Sequence, residues 1–177
     1  MSDFNIFHPD EQNMLAGSLY KVGVWMSHID DDGACEADER ERLALQKYLK
    51  KSVSKFSSHP IISEMAGEAL RRQNYWPRWE QDSDHALDDV KKAIGLLDGR
   101  LVDNEVKAYK ELVMGIATYI AGAFDENEDD EEKGMWGALS SMVVGVANPQ
   151  LKKEMHTSPS EDDALTALTA VLKTKRA

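Results

Sequence analysis

Six carboxylates fall within ten positions of one stretch, His28-Ile29-Asp30-Asp31-Asp32-Gly33-Ala34-Cys35-Glu36-Ala37-Asp38-Glu39, around a single glycine. Hard cations such as calcium and magnesium need several oxygens at roughly 2.0–2.6 Å, so converging carboxylates matter more than raw charge. Gly33 can take the positive φ of a tight turn and let acids from both sides approach one centre. Asp30, Asp32, Glu36 and Glu39 are the candidate ligands. The same acids can instead cap a helix, because the unpaired N–H groups of a helix start favour negative charge. Read as an EF-hand loop opening at His28, the stretch puts Asp30, Asp32, Gly33, Glu36 and Glu39 at the third, fifth, sixth, ninth and twelfth positions. The first position then holds histidine where a carboxylate belongs, and histidine is a poor ligand for a hard cation. A looser calcium or magnesium site and simple capping remain as the two readings.

A second acidic stretch, Asp125-Glu126-Asn127-Glu128-Asp129-Asp130-Glu131-Glu132, holds seven acids in eight residues. Neighbouring carboxylates repel unless a cation or a basic side chain neutralises them. Asp125, Asp129 and Glu132 are its candidate ligands; the alternative is a solvated loop. Glu126 stands where the first turn has glycine, so this turn is expected to be longer and looser.

Amphipathic helices flank both stretches. Leu15, Leu19, Val22, Met26 and Ile29 recur at spacings of four and three, predicting a helix from Pro9-Asp10 to about Ile29. Leu45, Leu49, Val53 and Phe56 predict a second over about 37–52, and Ile61, Met65, Ala69 and Leu70 a third from Pro60 to about Asn74. Tyr75-Trp76-Pro77-Arg78-Trp79 then interrupts, either as a corner with rings wedged between helices or as an exposed aromatic patch. A fourth helix, capped by Ser83, carries Leu87, Val90, Ile94 and Leu97 and stops at Asp98-Gly99. A fifth from Asp103 carries Val106, Tyr109, Val113, Ile116, Ile120 and Ala123, and a sixth carries Met135, Leu139, Met142 and Val146 before Asn148-Pro149. The last, capped by Ser160, carries Leu165, Leu168, Val171 and Leu172. No stretch alternates as a strand does. The expectation is an all-α single domain over 1–177, a compact bundle of about seven helices with its core over about 12–147 and a C-terminal helix near 160–174. The faces of Leu15–Ile29 and Tyr109–Ala123 should meet in one core.

The chain also matches itself at a shift of 93 positions: Asp32 falls on Asp125, Glu36 on Asp129, Asp38 on Glu131, Glu39 on Glu132 and Leu19 on Leu112. Each half thus runs from apolar helix through acidic turn to apolar helix, an internal pseudo-repeat.

An apolar helix, then Asp32-Gly33-Ala34-Cys35-Glu36-Ala37-Asp38-Glu39 and Leu43, resembles the TerB-like tellurite-resistance family. Leu96-Leu97-Asp98-Gly99-Arg100-Leu101-Val102-Asp103-Asn104-Glu105-Val106-Lys107-Ala108-Tyr109-Lys110, Ile116-Ala117 and Glu131-Glu132-Lys133 are similar to it too. The likeness covers roughly residues 12–145. It implies a pseudo-symmetric helical domain, acidic residues serving as a divalent-cation site, and a stress-response or adaptor role without a catalytic reaction. Glu126 and the Trp76–Trp79 segment depart from the family pattern.

Other chemistries find no signature. A net charge of −11 over 177 residues argues against direct nucleic-acid binding and anionic membranes, and leaves cations and basic protein surfaces as partners. The one cysteine, Cys35, excludes an internal disulfide, and its acidic neighbours disfavour the thiolate; it reads as a small apolar plug. The histidines at 8, 28, 59, 85 and 156 show no zinc spacing, and no phosphate loop or nucleophile elbow is present. No catalytic residue and no organic cofactor is expected. The start Met-Ser-Asp-Phe-Asn lacks signal-peptide character, and Gly134–Ala147 is too short to span a bilayer, so no membrane insertion and a cytoplasmic location are expected. Two function classes remain: a non-enzymatic, divalent-cation-binding or cation-responsive module of stress-response type, and an acidic interaction protein docking a basic partner, for example as a nucleic-acid mimic.

Overall fold

The computed structural model describes residues 3–30, 35–121 and 159–173. Seven α-helices lie in these segments: α1 Pro9–Ser27, α2 Cys35–Lys55, α3 Pro60–Arg71, α4 Trp76–Gln81, α5 Ala86–Asp98, α6 Asp103–Ala121 and α7 Pro159–Leu172. Single 3-10 turns occupy Asp3–Ile6, His28–Asp30, Gln73–Tyr75 and Ser83–His85, and no strand occurs among the described residues. The fold is all-α. No helix among the described residues is long and apolar enough to cross a membrane. The expected helix over Met135–Val146 lies outside the described residues, as does the whole of the second acidic stretch, 125–132.

Helices α1 and α6 form the centre. Every residue from Leu15 to Gly23 is buried, as is every residue from Leu112 to Thr118. Val22 and Ile116 both face the core, where Leu15, Leu19, Tyr109 and Leu112 also sit. Two glycines set the approach of neighbours. A Cβ on Gly17 would stand 2.9 Å from the Trp79 indole, and one on Gly23 would stand 2.6 Å from Leu45. Helix α2 therefore lies close along α1, and α4 presses an aromatic ring onto it.

Contacts at both ends fix the helix directions. At one end Arg100, just before α6, forms a two-point bond with Glu11 at the start of α1, both contacts 2.7 Å. Halfway along, the Ser18 and Tyr109 hydroxyls pair at 2.8 Å. Helices α1 and α6 are thus parallel. Helix α2 runs against them: His59, just past its end, meets Glu105 at the start of α6 at 3.0 Å, and Tyr48 packs on Tyr119 near the end of α6. The C-terminal ends of α1 and α6 and the N-terminal end of α2 therefore share one end of the bundle. C-terminal α7 packs over α5 and α6 and touches the His28–Asp30 turn.

Several boundaries differ from expectation. Helix α1 stops at Ser27, and Ile29 belongs to a tighter 3-10 turn. Helix α2 extends over Cys35–Lys55, beyond both expected limits. Helix α3 ends at Arg71, before the expected Asn74, and the aromatic stretch that follows the break is itself largely helical over Trp76–Gln81, with Pro77 in the first turn, where the missing N–H costs nothing. Ser83 lies inside a 3-10 turn, and α5 begins at Ala86 without a side-chain cap. Ser160 sits within α7, which opens at Pro159. Gly99 closes α5 at φ −80°, so its conformational freedom is not used.

Candidate functional site

The seven acids nominated as ligands divide sharply. Asp30 ends the 3-10 turn that follows α1, and Glu36 lies in the first turn of α2; the structure does not describe their side chains. Glu39 is exposed on α2. Asp32, Asp125, Asp129 and Glu132 lie outside the described residues. Among the described residues no group of three or more histidine, cysteine, aspartate or glutamate side chains is placed to hold a metal ion. Cys35 is the first residue of α2, and its side chain is likewise outside the description.

The charge of the chain is nonetheless unevenly spread. Positions 30–39 and 125–132 together hold thirteen of the 32 acids and none of the 21 bases, leaving 19 acids against 21 bases elsewhere. Helices α1 and α6, whose C-termini share one end of the bundle, lead into these two stretches. Outside those two stretches the described residues hold 18 acids against 16 bases, and their ion pairs include five that join distant parts of the chain: Lys21 with Asp82 and Asp89, Arg42 with Glu80, His59 with Glu105, and Arg100 with Glu11.

Next to that end, α1, α2 and α4 enclose a half-open cleft of about 80 Å³. Buried Tyr20, Gly23 and Leu45 form its inner wall with half-buried Val24, and exposed His28 and Arg42 stand at its rim with Ser27 and Glu41. Glu80, from α4, organises the polar part. Its Oε1 accepts the Tyr20 hydroxyl at 2.7 Å, the Arg42 Nε–H at 3.0 Å, and an Arg42 Nη2 contact at 2.9 Å. Burial and the neighbouring Glu80 carboxylate push the Tyr20 hydroxyl well above its ordinary range, so it stays protonated and acts as a donor.

A second polar group lies one residue further along α1. The buried Lys21 ammonium binds Asp82, in the α4–α5 connection, and Asp89 of α5, the latter at 2.6 Å. Burial works against the charge, but hydrogen bonds to the two carboxylates outweigh it and hold the Lys21 pKa above its usual value. The Lys21 hydrogen bond in turn holds Asp82 below the ordinary carboxylate range. His85 Nδ1 lies 2.9 Å from the other Asp82 oxygen, and Lys92 lies 3.6 Å from Asp89. Such a matched cluster anchors the α4–α5 corner to α1 and offers no reacting group to a substrate.

The aromatic segment resolves as a corner. Trp76 and Trp79 are 8% and 4% exposed, Tyr20 stacks on Trp76 at 4.8 Å, and the Trp76 Nε1–H donates to the Ala69 carbonyl at 2.9 Å. An exposed patch is excluded for these two rings, whose surfaces are spent on the core.

Tyr20, Arg42, Glu80 and the Lys21 group were not legible as sites, because their members lie about 20 to 70 positions apart with no fixed spacing. One signal existed. The run Leu15–Val24 carries one charge among small and apolar residues, and a helix buried all round must pair such a charge.

No protein-family model, curated protein or solved structure matches this chain.

Proposed function

We propose that the protein is a non-enzymatic helical binding module whose acidic end engages a positively charged partner, a basic protein surface. The observation that carries this reading is the charge distribution: two short stretches hold more than the whole net charge, and both follow helices that end at one end of the bundle. A near-neutral body with a concentrated acidic end attracts a basic surface with defined orientation, and such attraction acts chiefly on encounter rate and specificity. The TerB-like resemblance, with its adaptor role, supports the same reading. Binding of a lysine-rich peptide such as octalysine should be saturable at low salt and should weaken steeply as ionic strength shortens the screening length.

A second reading, a divalent cation held by the first turn, is favoured by Asp30 ending a 3-10 turn and Glu36 opening a helix only a few residues later, on either side of Gly33. Isothermal calcium titration separates the two. The cation reading requires saturable binding at millimolar calcium or below that Asp32→Asn with Glu39→Gln abolishes while helical content stays unchanged. Absence of saturable calcium binding together with octalysine binding leaves the basic-partner reading alone.

A further inference from the structure

We propose that the cleft between α1, α2 and α4 receives a lysine side chain of the basic partner, its methylene stem against Val24 and Leu45 and its ammonium at Glu80. The inference rests on the basic-partner reading above and names its point of insertion. The chemistry of the lining favours this occupant over others. Apolar wall from Gly23, Val24 and Leu45 meets a carboxylate, the combination that suits an aliphatic stem ending in a charge. Among the described residues the Tyr20 and Arg42 contacts to Glu80 converge on Oε1, and the proposal places the incoming ammonium at Oε2.

An anion is a poor alternative, because Arg42 already commits Nε and Nη2 to Glu80. A metal ion is no better, since no cluster of three ligating side chains occurs among the described residues. Size points the same way. A single water takes roughly 10–15 Å³ of such space, so 80 Å³ admits an ammonium with its adjoining methylenes. The cleft is also preorganised: Tyr20 is buried in the aromatic corner and the Gly23–Leu45 approach fixes the spacing of α1 and α2. A lysine entering it therefore orders no wall of its own. His28 at the rim continues directly into the acidic stretch that starts at Asp30, so a basic segment drawn to that end passes the cleft mouth.

The test uses the full chain and octalysine, read by calorimetry and by amide and side-chain NMR shifts. Saturable binding with shifts at Tyr20, Ser27 and Arg42 is expected, and octalysine acetylated on every side-chain amine should not bind. Val24→Phe fills the cleft without changing charge, and Glu80→Gln removes the carboxylate; each should weaken octalysine binding about tenfold, the size expected for one charge-assisted contact. Thermal unfolding reports whether Glu80→Gln folds, and Val24→Phe carries the test if it does not. Octalysine binding that both variants leave unchanged, but that Asp31→Asn with Asp32→Asn weakens, overturns the cleft and leaves the acidic-end reading standing. No octalysine binding at low salt overturns both.

Discussion

Tyr20 and Lys21 are neighbours on α1, and both reach the end of α4, yet their surroundings differ in kind. Lys21 is 7% exposed and meets two carboxylates, Asp82 and Asp89, inside the fold. Tyr20 is buried on its ring face but donates its hydroxyl to Glu80 at the edge of an open cleft. The first group is closed: its ammonium is matched by carboxylates from two elements, and little remains to offer a ligand. The second is open, because Glu80 gathers its Tyr20 and Arg42 donors on one oxygen and lines a half-open cleft. A closed network of this sort fixes a corner of the fold, while an open one is available for recognition.

The largest effect should come from the closed group. Lys21→Met takes the buried ammonium from Asp89 and leaves it only exposed Lys92 at 3.6 Å, and breaking a buried pair by removing one partner costs roughly 3 kcal/mol or more. Urea denaturation should show that loss as a lower midpoint at unchanged slope. Lys21→Met combined with Asp89→Leu should recover most of it, since an apolar pair of similar volume avoids the stranded charge. A double variant as unstable as the single one would mean that packing around Lys21, and not its charge, holds the corner.

The open group should respond less. Tyr20→Phe keeps the stacking on Trp76 and removes one hydrogen bond, for which a loss of about 1 kcal/mol is typical. Arg42 still holds Glu80, so the cleft keeps its shape. A Tyr20→Phe loss matching that of Lys21→Met would erase the distinction between the two groups.

Much of the fold could be read from periodicity, because an apolar stripe has only one way to escape water. Leu15, Leu19, Val22 and Met26, and likewise Val90, Ile94 and Leu97, all lie in the core. The failures have specific causes. Trp76-Pro77 looks like a breaker, but proline is compatible with a first helical turn, and the rings found a core to enter. Lys21 and Ser18 lie off the apolar stripe yet are buried, because α1 is packed against other helices on more than the face that the stripe marks. Its small residues, Ala16, Gly17 and Gly23, carried that information: side chains so short let other helices approach. The Glu80 cleft had no sequence trace, because it depends on three elements meeting in space. The acidic turn was legible as charge, and its ligand geometry is a matter of side-chain convergence that residue spacing cannot supply.

The smallest effect concerns pH, and it again separates the closed group by its charge. Asp82 is held below its ordinary value of 3.8, chiefly by the Lys21 hydrogen bond. A depressed carboxylate contributes stability that is complete above 3.8 and is lost as pH falls through the lower folded value. Glu11, held down by Arg100, and Glu68, whose bonds to Arg72 and Arg71 outweigh its burial, act in the same direction from 4.5 downward. Lys21 acts at the opposite limit: its raised value gives stability that is complete below 10.5 and lost as pH rises beyond it. Asp82 is half exposed, so solvent screens its pair with Lys21 and the contribution is small. Asp82→Asn should therefore be slightly less stable than the parent at neutral pH, and the gap should close as pH drops below 3.8, where the parent's own carboxylate becomes neutral. Urea midpoints measured from neutral pH down to strong acid follow that gap. A gap that stays constant across the whole range would show that Asp82 acts through shape, and the matching of Lys21 would then fall to Asp89 alone.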